Sequence, residues 1–532
     1  MAFKVVRLNR TGSAGNIVLN EALKKVVAKQ YQEAHNLSME MIRQDVKDPR
    51  PYHALGLLAL DHRNFVKAVE LCERATMLSP SEAVYWAAYA QVLSVVGRQN
   101  DAREAAEKAA ALPVNDPMTA DIIAVVFSRA GFHERAVPFF RQAISLNPGP
   151  ANFHYNLASS LQFAGRFEEA EEAYKETLAR DAEFFKAHSG LVALKKQTSG
   201  DNRLDELLPM FDRLAGDADA ALHLGHAIAK TYEDLGEYDE SLVWLKRAKA
   251  QNRERYPTDE AEQADMFKAA VETAGFDAAG AADGAPIFVV GLPRTGTTLV
   301  DRILSTHPDV VSAGELNVFA GLVKAKAGSS SNMVLDAETL RMVEGADLAE
   351  IGNHYMAATK VLARGAERFV DKMPLNFFYA ALILKALPNA RIVALRRGAM
   401  DSCLSNYRQL FSTQFSYYNY TYDLESTAQF YRGFDGLMAQ WRDLLPADRF
   451  MEIRYEDIVF DQEAQTRRLL DFCGLDWFEG CLRFHENAAP VSTASSVQVR
   501  QPLYSGSIGR WKRYSDEGLE PLTRALRDLA QD

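Results

Sequence analysis

Small side chains return at a fixed interval through the first half of the chain. Ala34, Ala68, Ala102, Ala136 and Ala170 stand 34 residues apart. Gly97, Gly131 and Gly165 keep the same spacing, as do Ala75, Ala109 and Ala143, and Pro80 and Pro148 lie two periods apart. A small residue suits a close helix crossing, Gly a turn, and Pro a helix end, so each period predicts one pair of helices. Five units in one phase cover about residues 15–184, after an N-terminal extension at 1–14. The phase breaks over 185–221, and a sixth unit returns with Ala229, Gly236 and Ala248, carrying the helical array to 255. Residues 256–285 read as a linker, rich in Ala and Gly from Ala270 onward. From Pro286 the pattern changes. Apolar runs at Ile287–Val290 and Ile392–Leu395 alternate with helical stretches, which predicts a parallel sheet with crossover helices over 286–532.

The 34-residue unit is similar to the tetratricopeptide repeat, and Tyr52-x-x-Leu55-Gly56 followed by Ala68, Ala75 and Pro80 fits it best. The resemblance implies a superhelix with a concave groove. A peptide or partner protein in that groove is one expectation; a spacer or a dimerisation surface is the other, because the repeat specifies fold and not ligand.

Composition narrows the partners. The net charge of −11 over 532 residues argues against broad binding to nucleic acid or an anionic membrane surface. Cations that hold an anionic ligand must then be gathered locally. Cys72, Cys403, Cys473 and Cys481 are scattered without metal-ligand spacing, so no zinc site, no required metal and no disulfide frame is expected. The start lacks the apolar run of a signal peptide, and no stretch is long and apolar enough for a membrane span. A cytoplasmic location follows as the expectation.

The chemistry concentrates in Pro286-Ile-Phe-Val-Val-Gly-Leu-Pro-Arg294-Thr295-Gly296-Thr297-Thr298. An apolar strand, a Gly/Pro/Thr loop and a helix start form a cradle for an anion. The string is P-loop-like, but Thr297 stands where a nucleotide-triphosphate loop needs Lys, and the positive charge is Arg294 inside the loop. Such a loop suits one phosphate bearing a transferable group better than a triphosphate.

Three separated motifs make residues 286–532 resemble the sulfotransferases that use 3′-phosphoadenosine 5′-phosphosulfate (PAPS). The likeness is to bacterial tetratricopeptide–sulfotransferase proteins and to tyrosylprotein sulfotransferases. The first motif is Pro293-Arg-Thr-Gly-Thr-Thr298, which the resemblance assigns to the 5′-phosphosulfate. The second is Arg391-Ile-Val-Ala-Leu-Arg396-Arg397, with Ser405 eight residues beyond Arg397. The resemblance puts Arg397 and Ser405 on the 3′-phosphate, with Arg396 left for an external salt bridge. Gly398-Ala399 replaces the family's usual Asp/Asn-Pro there. The third is the C-terminal run from Ser492 to Tyr514, which resembles the family's closing segment. Ser496, Tyr504 and Arg510 are its candidate donor contacts, with Arg500, Lys512 and Arg513 as other possible cations. Tyr455 is similar to a tyrosine that stacks on adenine in the protein-tyrosine branch, or is plain core packing.

The resemblance also supplies catalytic roles. Lys372, in Asp371-Lys-Met-Pro-Leu-Asn376, matches the lysine that neutralises the leaving phosphate. Pro374 occupies the place of the cytosolic enzymes' histidine, so the base falls to Glu315 in Gly314-Glu315-Leu316, as in the protein-tyrosine branch. His307 is a rival base, and Arg294 joins Lys372 in meeting charge. Tyr417, Tyr418, Tyr420 and Tyr422 form either a lid over an aromatic acceptor or simple loop packing. The implied reaction moves a sulfuryl group from PAPS to a hydroxyl acceptor, a peptide or protein tyrosine among the candidates, and releases adenosine 3′,5′-bisphosphate. Two other readings stay open: a P-loop phosphotransferase, and a non-catalytic repeat scaffold with a relic domain.

Overall fold

The computed structural model describes residues 21–529 apart from 278–279, 281–283, 332, 334, 367, 488, 490 and 492–497. Two compact units divide the chain, residues 1–190 and 191–532.

In the first unit, antiparallel helix pairs follow one another from Glu21–Val27 to Phe167–Arg180. The in-phase alanines do what the period predicts: Ala34, Ala68, Ala102, Ala136 and Ala170 are all fully buried where helices cross. Gly165 caps the helix Ala151–Ala164 in the left-handed region, at φ 83°, which lets the chain reverse into the next helix. Asp48 and Asp116 each accept backbone N–H bonds at a helix start, ahead of Pro49 and Pro117 at the first helical position.

The second unit opens with the helices Leu204–Leu214, Ala218–Leu235 and Tyr238–Arg255. The helical region does not stop at 255. Within the segment read as a linker, Glu260–Glu272 is a helix capped by Asp259, whose side chain accepts from two backbone N–H groups. Its Phe267 is buried against Phe378 and Phe430. The Ala/Gly run that suggested a linker begins only as this helix ends, so composition averaged over the window hid an amphipathic helix.

A five-stranded, fully parallel sheet follows: β1 Ile287–Gly291, β2 Val310–Gly314, β3 Arg368–Asp371, β4 Arg391–Arg396 and β5 Phe450–Arg454. The order is β2-β3-β1-β4-β5. Every residue of β1 is buried, as expected for a central strand covered on both faces. On one face Leu299, Val300, Ile303 and Leu304 of the helix Thr297–Ser305 pack onto Val289, Val370, Val393 and Ile453. The helix begins just beyond the Leu292–Gly296 loop that follows β1.

Candidate active site

All five strands end at one edge, and each is followed at once by a residue with chemistry. β1 runs into the Leu292–Gly296 loop, β2 into Glu315, β3 into Lys372, β4 into Arg397 and β5 into Tyr455. The register sets several of these ends side by side: Gly314 opposite Asp371, Gly291 opposite Leu395, and Arg396 opposite Arg454. In an open parallel sheet the crevice outside the carboxyl ends of the strands is where ligands bind.

The loop after β1 is built to present groups rather than to pack. Arg294 holds φ 67°, unusual for a residue with a side chain. Thr295 turns inward, its hydroxyl donating to the carbonyl of Leu292 at 2.6 Å. Gly296 sits at φ 110°, and a Cβ there would come 2.8 Å from the Tyr455 ring, so only glycine lets the loop lie on that ring. Thr297 and Thr298 then open the helix. Two residues of the helix Ala399–Tyr407 region brace the loop: Asn406 donates to the carbonyl of Pro293 at 2.7 Å, and Arg397 donates to that of Arg294 at 3.0 Å.

Arg397 is 8% exposed, lies 5.0 Å over the Tyr455 ring, and donates a second bond, 2.5 Å, to the carbonyl of Ser507. Its Nε is buried and has no hydrogen-bond partner among the described residues. Arg396 points elsewhere, into ion pairs with Asp435 and Glu452. Ser405 is half-buried, one helical turn beyond Asp401 and so on the same side of the helix. Burial, then the like charges of Arg397, Arg408 and Arg510, pull the Arg294 guanidinium down to about 10, while Tyr504 opposes them. These arginines therefore share one electrostatic neighbourhood. A cleft of about 890 Å³ lies along β4 and β5, with Arg396, Arg397, Gly398, Tyr431 and Arg454 in its wall; Arg294, Arg408 and Arg510 do not line it.

Lys372 is 1% exposed and forms an ion pair with Glu315, which reaches solvent on its other side. Asp301, from the helix after the loop, lies buried near this pair. Burial raises its carboxyl, while Lys372 acts against that rise and Glu315 with it. Behind Lys372, Asp371 is fully buried and accepts the Tyr355 hydroxyl at 2.8 Å; burial lifts it to about 7. His307 has its ring nitrogens engaged with the backbone, Nε2 at 3.1 Å from the carbonyl of Asp476 and Nδ1 at 3.2 Å from the N–H of Asp309. The structure gives it an anchoring place and leaves Glu315 as the carboxylate beside Lys372.

The tyrosine stretch splits in two. Tyr420 and Tyr422 are buried, with Tyr420 stacked on Phe430 at 3.9 Å and its hydroxyl donating to Asn406. Tyr417 and Tyr418 form a half-buried aromatic group with Phe411 and Phe415. Both phenols are raised by burial and then by the charge of Glu315, which places them near that carboxylate.

The C-terminal segment closes the site. Ser496 lies outside the described residues. Tyr504 is 40% exposed, and Gln498 accepts from Arg294 at 2.7 Å. Asp401 accepts the N–H groups of Gly509 and Trp511, at 2.6 and 3.2 Å. Arg510 turns to Glu233, at 2.8 Å. Asp401, Asn406, Glu233 and Gln498 were not singled out by sequence reasoning. Asp401 carried a signal, four residues after Arg397 on a helix; Glu233 carried none, being far from the motif in the chain.

Residues 286–479 match the family model described as the sulfotransferase family, and residues 129–194 match a tetratricopeptide-repeat model. The chain joins tetratricopeptide repeats to a sulfotransferase-family domain. It is 28% identical over 403 residues to an uncharacterized protein of Aquifex aeolicus (strain VF5), covering 74% of this chain and 52% of the relative. It is 27% identical over 240 residues to a protein-tyrosine sulfotransferase of Drosophila melanogaster, covering 42% of this chain and 46% of the relative. It thus spans about half the length of these relatives. Among solved structures, a sulfotransferase domain from the curacin biosynthetic pathway matches with a TM-score of 0.33 at 18% identity, over 47% of this chain and 98% of the other. The tetratricopeptide protein YrrB matches with a TM-score of 0.28 at 14% identity, over 39% and 96%. Among the described residues there is no cluster of metal-binding side chains, and no helix is long and apolar enough to cross a membrane.

Proposed function

We propose that this protein is a sulfotransferase that moves a sulfuryl group from PAPS to a hydroxyl acceptor. The observation that carries the reading is the bond from Arg397 to the carbonyl of Arg294. Two basic motifs 103 residues apart thereby wall one site. The residues fit a doubly phosphorylated nucleotide. The Arg294–Thr298 loop offers backbone N–H groups and hydroxyls at a helix start to a 5′-phosphosulfate. Arg397, whose buried Nε has no partner among the described residues, and Ser405 are the candidates for the 3′-phosphate. Tyr455 and Tyr504 flank that path.

Transfer through a loose, in-line transition state asks mainly for positioning and charge. The acceptor oxygen bonds to sulfur as the bond from sulfur to the leaving phosphate oxygen breaks. Lys372 meets the charge left on that phosphate, and Glu315 takes the hydroxyl proton. Their ion pair is the resting arrangement: as Lys372 turns to the donor, it releases Glu315 to act as base. The aromatic group around Tyr417 and Tyr418 favours a flat, phenolic acceptor such as a peptide tyrosine, with the repeat groove recruiting the acceptor or its carrier.

A thermal-shift comparison tests the donor. Adenosine 3′,5′-bisphosphate is expected to raise Tm by several degrees and AMP by much less, because AMP lacks the 3′-phosphate. Equal shifts, or magnesium-dependent ATP hydrolysis, would overturn the reading. Mass spectrometry of a lysate incubated with labelled PAPS and the protein identifies the acceptor.

A further inference from the structure

Glu233 stands on the helix Ala218–Leu235, before the sulfotransferase motifs begin, yet its carboxylate is occupied by their cations. Its side chain is 4% exposed. Oε1 accepts from Arg510 Nε at 2.9 Å and from the Tyr514 hydroxyl at 2.8 Å, and Oε2 pairs with Arg408. Burial alone would push this carboxyl up, but Arg408, Arg510 and Tyr514 hold it below the ordinary range.

The two arginines come from two different segments of the candidate donor site. Arg408 caps the helix Ala399–Tyr407, which carries Asp401 and Ser405 and follows directly on Arg397. Arg510 belongs to the closing segment, which Arg397 grips at Ser507 and Asp401 grips at Gly509 and Trp511. A second tie comes from the next helix, Tyr238–Arg255, where Asp239 accepts the N–H of Ser515 at 3.0 Å. Tyr238 also packs its ring on Tyr514 at 5.3 Å. Arg408 and Arg510 both act on Arg294 in the phosphate loop.

We propose that Glu233 is a positioning residue of the donor site: it clasps Arg408 and Arg510 so that the 505–514 segment stays closed over the Arg294 loop. The last helix pair of the array thus contributes to donor binding. This rests on the PAPS reading above, and the test separates the two. A buried carboxylate held by three donor groups is a rigid hub, and removing its charge leaves two guanidinium groups without a fixed partner.

Titration calorimetry of the full chain with adenosine 3′,5′-bisphosphate, in a cycle of Glu233→Gln and Arg510→Met, provides the test. Each single variant is expected to bind about tenfold more weakly or worse, since a misplaced binding group is costly even far from the chemistry. The double variant should be little weaker than the poorer single one, because Glu233 acts through Arg510. Hydrogen exchange at the amides of 505–514 should speed up in Glu233→Gln. In turnover, KM for PAPS should rise while kcat at saturating donor stays within about threefold. Wild-type affinity or tighter binding in Glu233→Gln, or fully additive effects, would overturn the proposal. A wild-type chain that binds no bisphosphate removes the PAPS reading itself, and this proposal with it. Should Glu233→Gln not fold, Arg408→Met and Arg510→Met carry the comparison, and unchanged binding in both refutes it.

Discussion

Lys372 and Glu315 pair a buried cation with a half-exposed carboxylate. Lys372 is buried at the end of β3, and Glu315 stands at the end of β2 with access to solvent. Replacing Glu315 by Gln keeps the shape and removes the proton acceptor. The turnover rate should fall about 10²–10⁴-fold while bisphosphate affinity stays within a few-fold. Steady-state kinetics beside calorimetry would check this, and wild-type kcat in Glu315→Gln would remove the base assignment. Gly296→Ala is a sharper probe of the loop. Its Cβ would meet the Tyr455 ring at 2.8 Å and φ is 110°, so donor affinity should drop even though no polar group is lost. Resemblance to known motifs singled out the loop, Lys372, Arg397 and Glu315, and in the structure each follows a strand directly in sequence. The role of His307 was not legible: its partners Asp476 and Asp309 are backbone groups, and backbone contacts leave no residue-type signature.

At the scale of elements, the helix Leu424–Leu444 tests how tightly Glu260–Glu272 is seated. A Cβ on Gly433 would lie 2.2 Å from the Phe267 ring, whereas a Cβ on Gly436 meets nothing within 4 Å. Gly433→Ala should therefore cost about 1–3 kcal/mol through overpacking. Gly436→Ala, on the exposed side, should gain about 0.5–1 kcal/mol through helix propensity. Urea unfolding of the pair would show opposite shifts in midpoint; a gain at Gly433 would mean Phe267 does not pack there. The same contact explains why the segment after 255 was misread. Its Ala and Gly content suggested freedom, but one phenylalanine against Phe378 and Phe430 anchors the helix. Single-residue anchoring is invisible to a compositional window.

Across the whole molecule, the second unit extends back to Leu191 and includes helices that the repeat period assigned to the array. A chain beginning at Leu191 should bind adenosine 3′,5′-bisphosphate like the full chain. One beginning at Thr258 should not, since it lacks Glu233 and Lys249. Calorimetry on both would decide. Lys249 adds a pH signature. Its ammonium is buried at 1% exposure, donates to the carbonyl of Thr421 at 2.8 Å, and lies near the rings of Tyr407 and Tyr422 and the imidazole of His226. Burial drags it down to about 7, against about 10.4 in an unfolded chain. Below pH 7 both states hold the proton and the cost of burial is constant. Between about pH 7 and 10 the folded state binds fewer protons than the unfolded one, so stability rises with pH, by up to about 1.4 kcal/mol per unit. Unfolding free energies at pH 7 and 9 should show that rise in the wild type and a smaller one in Lys249→Met; equal slopes would exclude Lys249 as its source.

What is periodic or contiguous could be read from the chain alone: the helix pairs, the strands at Ile287–Val290 and Ile392–Leu395, and the Gly/Pro/Thr loop after the first of them. Period and contiguity survive in one dimension because they are set by local geometry, a helix crossing or a strand end. Which distant groups share a charge or a bond is set by the folding of the whole chain. It brought Arg397 onto the Arg294 carbonyl, drew Arg510 to Glu233, and seated the helix after Arg255 in the second unit. Those choices depend on burial and on partners more than a hundred residues away, and neither spacing nor composition records them.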